Sequence, residues 1–507
     1  MARVSSVPVP SSRRWPVVVV LLVVGAIGAV VRLHMLFDPS PLFYGTYDDG
    51  VHCRAALNLV HGNLLYRDVL FLQPPGVVVA AAPFALLANL TGDATAFAIG
   101  RTVFALVGAL NGVLVAVALR RWGPVAMLVG GTLYALSFAA AYDERTITLE
   151  VIGTTGILAS LVLLDVAARR SARRWVVLAG VAAGVAIDFK IWYVVPFVVL
   201  AVLAGRRIGW FVLGTAVAGV VGYVPFFAAA PSRMWGQVVL AQLGRPKSTG
   251  TPLDQRLGSM LGIASKDGTS GIPSLWGPEL TPWLVGLVVV LALLALATPG
   301  ARRFVALLGA TGAVLLLSPS YFQHYAVLTA APLALVAGVG TVWIADRVRR
   351  GRRIVLAVSV AAALLLAVSV DLRQVVERSN QKVAPLAALT AAADRIDGCI
   401  VTDDPTILIL MNRLTPDLRN GCVFRSDPSG YGYVLTPPGG KAVFRPQNPV
   451  WQRSAMRYLR SADAYLLVRG DVFGLTPANR AIVRRDRELF RVDDFVIRSG
   501  GLTTRRG

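Results

Sequence analysis

The chain has 507 residues, 55% of them hydrophobic and only 15% charged, with a formal net charge of +22. Apolar runs near the ~20 residues needed to cross ~30 Å of hydrocarbon recur from Trp15 to about residue 370, which excludes a single water-soluble globule and describes a polytopic membrane protein. The positive charge sits largely in short Arg clusters between the runs, with no basic face of interleaved aromatics, so it reads as a topology signal and not as a nucleic-acid surface.

The opening "MARVSSVPVPSSRRW" precedes an apolar run too long for the h-region of a signal peptide and without a small-residue cleavage site, so it is expected to stay as the first span. Six Arg clusters follow one another along the chain: Arg13-Arg14, Arg120-Arg121, "ARRSARRW" (168–175), Arg206-Arg207, Arg302-Arg303 and "DRVRRGRR" (346–353). If all face the cytoplasm, every stretch between two clusters crosses the membrane an even number of times.

Three apolar stretches lie between the first two clusters, at 16–36, 77–90 and 96–119. The middle one is short and contains Pro83, so it is expected as an interfacial or re-entrant helix, which makes 37–95 one large outer loop. The same rule gives hairpins at 124–140 with 150–168, 175–190 with 193–205, 210–230 with 281–298 and 304–318 with 325–345, then a last span at 354–370. The expectation is an all-α polytopic membrane domain over 1–370, with eleven spans, the N-terminus inside and the C-terminus outside. Beyond residue 371 charges, Pro and Gly rise and short β-like runs appear ("CIVTDD", "AYLLVRG", "FRVDDFVIRSG"), so 371–507 reads as a small extracytoplasmic α/β or α+β domain. Its Cys399 and Cys422 are either a disulfide or two buried thiols; Cys53 falls in the first outer loop.

This topology gathers the polar groups outside the clusters on the outer side, although none of them was used to set it. They are Asp48, Asp49, His52, Arg54, Tyr66-Arg67-Asp68, Gln73, "YDERTITLE" (142–150, with Asp143, Glu144, Arg145 and Glu150), Lys190 and "SYFQHY" (320–325, with His324 and Tyr325). Each has a local explanation. Thr46 with Asp49 approximates a capping box, and acids suit a first helical turn. Glu150 pairs with Arg145 at the interface, Lys190 snorkels, and His324 joins Tyr321 and Tyr325 in an aromatic belt. The functional reading explains all of them together: acids able to take a proton, and cations or N–H donors able to hold a phosphate, at one membrane boundary.

The stretch "YDDGVHCRAALNLVHGNLLYRDVLFLQPPG" resembles the first outer loop of the GT-C glycosyltransferases of the protein O-mannosyltransferase and aminoarabinose-transferase type (glycosyltransferase family 39-like): an acidic pair after the first span, then "G.lPYrD", then "KPPG". "RTITLE" is similar to the family's second acidic motif, "DFK" to its Lys-containing span end, "FQHYAVLTAAPLALVAG" to a later span, and "IVTDDPTILILMNRLTPD" to outer domains of bacterial relatives. The resemblance implies Asp48 as general base, Asp49 as its acidic neighbour, Glu150 as second acid, and Lys190 and His324 on the phosphate of a polyprenyl-phosphate sugar. Arg54, Tyr66, Arg67, Gln73, Asp143, Glu144, Arg145 and Tyr325 complete the expected substrate-binding set. Gln73 departs from the pattern, standing where many relatives carry Lys.

A single carboxylate base with direct attack implies inversion, with transfer of a mannose- or arabinose-like sugar to a lipid, glycan or protein acceptor at the outer face of the cell membrane. The Arg-rich, Lys-poor composition associates the chain with a high-GC, actinobacterial source. No cofactor is required by this scheme; a divalent metal beside the acids is compatible with it, but His52 and His61 show no ligand spacing. The competing classes are a transporter or lipid flippase, against which stand charges at one face and not the midplane and the lack of an inverted repeat, and a non-catalytic scaffold of the same fold.

Overall fold

The computed structural model describes residues 14–44, 47–246, 251–262, 281–347, 383–436, 440, 443–468, 472 and 474–501. Thr46 of the expected capping box, the basic cluster beyond Arg347 and the expected last span at 354–370 lie outside the described residues.

The membrane part is helical: α1 (Arg14–Phe37), α2 (Tyr47–Val60), α3 (Gly76–Thr91), α4 (Asp93–Leu119), α5 (Pro124–Leu136), α6 (Phe138–Glu144), α7 (Leu149–Arg170), α8 (Arg173–Phe189), α9 (Val194–Ala204) and α10 (Ile208–Ala229), then α11 (Pro231–Trp235), α12 (Ala241–Leu243), α13 (Leu253–Met260), α14 (Thr281–Leu296), α15 (Arg302–Leu317) and α16 (Val327–Arg347). Among the described residues five helical stretches are long and apolar enough to cross a membrane: Trp15–Phe37, Asp93–Trp122, Leu149–Arg170, Ile191–Ala229 and His324–Ile344. Counting α5 and α6, which meet at a 57° bend, as one broken span makes six. This is a multi-pass membrane architecture; α3 and α14 are the shorter apolar helices.

Sequence dictates several of the joints. Pro74 and Pro75 end the loop before α3, and α3 turns directly into α4 at Gly92, whose φ of 84° is left-handed. Where α8 crosses α10, backbones touch: a Cβ at Gly180 would lie 1.9 Å from the Phe211 carbonyl oxygen, and one at Gly214 would lie 2.0 Å from that of Val177. Lipid tails offer no hydrophobic drive between helices, so close approach at small residues takes over.

The C-terminal segment forms a four-stranded sheet in the order β1-β2-β4-β3, with β1 at Ile400–Thr402, β2 at Ala464–Leu467, β3 at Glu488–Val492 and β4 at Phe495–Ser499. β1 runs parallel to β2, and β4 pairs antiparallel with both β2 and β3. The parallel pair requires a crossover, supplied by helices Pro405–Leu410, Leu414–Arg419 and Pro449–Leu459. Helix Pro405–Leu410 is buried throughout and rests on α2, where a Cβ at Gly50 would lie 2.2 Å from Thr406 Oγ1. The sheet core and the α2–α4 residues therefore belong to one hydrophobic cluster. Cys399 and Cys422 are joined by a disulfide, and Cys53 is a buried free thiol.

Candidate active site

The ends of several helices meet the C-terminal segment around a cavity of about 510 Å³. The first turn of α2 brings Tyr47, Asp48 and Asp49. The start of α7 brings Glu150, the end of α8 brings Lys190, and the 3₁₀ turn Gln323–Ala326 before α16 brings His324 and Tyr325.

The two neighbouring acids are placed differently. Asp49 is fully buried and bound by Arg101 of α4, with Nε 2.9 Å and Nη2 2.7 Å from Oδ2. The same guanidinium donates to the Pro41 and Phe43 carbonyls and lies 4.2 and 4.0 Å from the Phe43 and Phe97 ring centres. Asp48 has a side chain 56% exposed, 3.8 Å from His324 Nε2. A carboxylate meant to receive a proton must be reachable, and only Asp48 of the two is.

Glu150 forms a buried ion pair with Lys190, and its carbonyl accepts from the Tyr193 hydroxyl at 3.1 Å. Lys190 also lies 4.1 Å from the Tyr325 ring centre, while Arg245 donates to the Tyr325 hydroxyl at 3.2 Å, so Tyr325 is touched by two cations. Asp143 accepts from Thr148 Oγ1 at 2.9 Å. His52 directs Nδ1 at the Ile147 carbonyl, 2.6 Å away, which makes that nitrogen the proton carrier. Among the described residues no three His, Cys, Asp or Glu side chains form a metal-binding group.

Of the residues singled out in the sequence, the cavity thus brings together Asp48, Asp49, His52, Gln73, Asp143, Glu150, Lys190, His324 and Tyr325. It does not gather Arg54, Tyr66, Arg67, Glu144 or Arg145. Arg54 is fully buried, with its guanidinium 4.8 Å from the Phe424 ring centre and its three nitrogens without hydrogen bonds. Tyr66 donates to the Gln73 carbonyl at 2.8 Å, which pins the start of "QPPG". Arg67 is half exposed and pairs with Asp68. Glu144 is a buried hub accepting from Arg32, Asn111 and Tyr134, so it ties α1, α4 and α5 together. Arg145 is packed on Tyr142 and Phe43, and it is Lys190, not Arg145, that pairs with Glu150.

Other lining residues were missed. Arg245 is a lone arginine outside every paired cluster, the one signal that could have marked it. Asp403 and Asp404 end β1, and Arg425, Asp427, Tyr433, Arg445, Trp451 and Tyr458 come from the crossover region. This wall is tied to α2 through Tyr47, whose hydroxyl donates to Asp427 Oδ1 at 2.9 Å and accepts from the Ser429 N–H at 2.9 Å. Burial pushes the Tyr47 phenol well above its ordinary pKa, so it stays a donor. Burial likewise raises the Asp427 carboxyl, against the lowering effect of the Gly430 N–H and Tyr47.

No family model and no curated protein matches the chain. Solved structures do. ArnT from Cupriavidus metallidurans superposes with a TM-score of 0.58 in the apo state and 0.60 when bound to undecaprenyl phosphate, at 16% identity over 96% of this chain and 98% of that one. The Archaeoglobus fulgidus oligosaccharyltransferase tethered with an acceptor peptide gives a TM-score of 0.57 at 13% identity, over 90% of this chain and 69% of that one. The fold is that of the GT-C glycosyltransferases.

Proposed function

We propose that the protein is a membrane glycosyltransferase that moves a mannose- or arabinose-like sugar from a polyprenyl-phosphate donor to an acceptor hydroxyl, with inversion at the anomeric carbon. The observation that carries the reading is a cavity that brings Asp48, a carboxylate with an exposed side chain, together with His324, Lys190 and Arg245 across helix ends of a GT-C fold.

Asp48 takes the proton of the acceptor hydroxyl as its oxygen attacks the anomeric carbon. The bond from that carbon to the phosphate oxygen breaks, and the polyprenyl phosphate leaves with the negative charge. Lys190, over the Tyr325 ring, and Arg245, at the Tyr325 hydroxyl, stabilise that charge. Arg245 supplies the cation that Gln73 does not. Glu150 is a positioning residue, because its buried pair with Lys190 fixes where the ammonium points. Asp49, locked on Arg101, holds the first turn of α2 so that Asp48 faces the cavity. His324 donates to the phosphate, and no obligatory metal enters the scheme.

The accompanying topology is a membrane domain over 1–370 with eleven spans, the N-terminus in the cytoplasm, and 371–507 outside, which sets the site at the extracytoplasmic face of the cell membrane. The test is transfer from a labelled polyprenyl-phosphate sugar by membranes carrying the wild type or Asp48→Asn. Transfer at the wild-type rate by the variant removes Asp48 as base, and no transfer by the wild type with any such donor removes the glycosyltransferase reading.

A further inference from the structure

The end of the helix bundle away from the cavity carries a second set of convergent groups. α7 leaves the cavity at Glu150 and ends on Arg169 and Arg170, about 30 Å further on at a rise of about 1.5 Å per residue. α8 returns from Arg173 to Lys190. Near the far end of α7, α4 closes with a 3₁₀ turn, Arg120–Trp122, and α15 opens on Arg302 and Arg303.

Arginines that only set topology need be no more than solvated charges on one side of the membrane. Here they are held. Arg303 forks onto Asp165, with Nη2 2.7 Å from Oδ2, and its side chain is only 10% exposed. Its guanidinium lies 4.9 Å from the Phe304 ring centre and 5.9 Å from that of Trp122. Arg121 lies 3.9 Å from the Trp122 ring centre and donates through Nη2 to the Pro299 carbonyl at 2.9 Å. A Cβ at Gly300 would lie 1.6 Å from that nitrogen, so this place for Arg121 exists because residue 300 is glycine.

The charge they gather is not compensated. Arg121 feels the like charges of Arg303 and Arg169, and Arg169 those of Arg120, Arg303 and Arg170, with Asp165 as the opposing carboxylate in both cases. The sequence offers these segments no other acid: Asp165 stands alone between Glu150 and Asp188, and there is none between Asp93 and Asp143 or between Glu279 and Asp346. Fixing five guanidiniums around one carboxylate is costly unless an anion joins them. Donors are also left over, since Arg303 Nε and Trp175 Nε1 are buried without hydrogen bonds. Trp122 and Trp175 mark the depth of lipid headgroups, and Val125 and Leu128 of α5, just beyond Trp122, are exposed. A soluble anion gains nothing from that apolar border, whereas a phosphate joined to acyl chains does. Basic pockets between spans suit such headgroups, and guanidinium forks match phosphate oxygens.

We propose that Arg120, Arg121, Arg169, Arg170 and Arg303 form a binding site for an anionic phospholipid. A headgroup with two phosphates, matching cations spread over α4, α7 and α15, binds in preference to one with a single phosphate. The site is separate from the cavity and independent of the glycosyltransferase reading.

The experiment titrates the full chain in detergent with cardiolipin, phosphatidylglycerol or phosphatidylcholine, reading bound lipid by native mass spectrometry, with inorganic pyrophosphate as a soluble competitor. The variants are Arg169→Gln alone and Arg169→Gln combined with Arg121→Gln. Arg169 makes no hydrogen bond or ion pair among the described residues, so the single variant is expected to fold even where the double one does not. An unchanged Tm in phosphatidylcholine nanodiscs checks folding. Expected is cardiolipin binding tightest, phosphatidylglycerol weaker and phosphatidylcholine weakest. Each arginine removed should weaken cardiolipin about fivefold, and the pair roughly 25-fold. Equal binding of the three lipids, wild-type cardiolipin binding by a folded variant, or displacement of cardiolipin by an equal concentration of pyrophosphate, which would mark a free phosphate as the ligand, overturns the proposal. Phosphatidylglycerol binding as tightly as cardiolipin overturns the preference for two phosphates.

Discussion

Replacing Asp48 and Asp49 one at a time separates chemistry from architecture, because the structure gives two adjacent carboxylates opposite surroundings. Asp49→Ala leaves the Arg101 guanidinium buried without its counter-charge. Removing one partner of a buried pair costs ~3–5 kcal/mol. The two bonds lost, at 2.9 and 2.7 Å, are charge-assisted and worth ~1.5–3 kcal/mol each, together ~3–6 kcal/mol, which overlaps that range. Bonds to the Pro41 and Phe43 carbonyls still hold the guanidinium, so the lower end, ~3 kcal/mol, is expected. Asp48→Asn neutralises a side chain 56% exposed whose contact with His324 Nε2 spans 3.8 Å. Such a pair contributes ~0–1 kcal/mol, so stability stays level, while on the proposed function the loss of its general base lowers kcat by ~10²–10⁴-fold.

The assay is thermal unfolding of each purified variant beside turnover of a labelled polyprenyl-phosphate sugar. The expected pattern is a fall in Tm for Asp49→Ala alone, and for Asp48→Asn lost turnover with an unchanged Tm. If Asp48→Asn unfolds early, or Asp49→Ala melts like the wild type, the division of labour is refuted.

Arg245→Gln is expected to lower turnover by roughly 10²-fold, the usual cost of removing one stabilising donor, with Tm unchanged; wild-type turnover would clear Arg245 of the leaving-group role. Tyr47→Phe leaves buried Asp427 and the Ser429 N–H one partner short, so ~1–3 kcal/mol of stability goes, and the Asp427 carboxyl rises further because a lowering hydrogen bond is gone; urea unfolding of both proteins checks the first. Asp417 is pushed up to about 6, mainly by burial, although Arg413 pulls it down and Asp93 adds to the rise. A carboxyl raised on folding contributes stability below its unfolded pKa and loses it as pH rises through the folded value, so Asp417→Asn should flatten the fall in Tm between pH 4 and about 6. A Gly180→Val variant drives a side chain into the Phe211 carbonyl and should abolish stable folding of the α8–α10 pair, read as loss of the monodisperse peak on gel filtration.

What could be read in the sequence and what could not divide along a physical line. Glu150, Lys190 and His324 stand where apolar runs begin or end, and an ionisable group there is costly unless it meets a cavity or a partner; that local cost pointed to all three. Which partner each meets was not local. Glu150 lies near Arg145 in sequence but pairs with Lys190 of the next helix. Arg54 and Arg145 carry charge yet leave the cavity, one over Phe424 and the other over Phe43, because packing with distant aromatic rings outweighs proximity to the acids. The wall was hidden for the same reason: Trp451 and Tyr458 lie some four hundred residues from Asp48 in sequence, and the parallel β1–β2 crossover that carries them brings them to the same cavity.

The first turn of α2 shows why three consecutive residues can do three jobs. Successive side chains on a helix point about 100° apart, since 3.6 residues complete a turn. Tyr47 therefore reaches the C-terminal wall, Asp48 the cavity, and Asp49 the Arg101 of α4. A rotation of α2 about its axis would break the Tyr47 and Asp49 contacts together, so each guards the direction of Asp48. Reactions that depend on orientation lose ~10²-fold for a misplacement of about 1 Å. On that scale a base held by one neighbour on each side, one buried ion pair and one doubly bonded phenol, needs no further support from its own exposed side chain. On the proposed function, the acidic pair is thus a reactive group and its mount, encoded side by side.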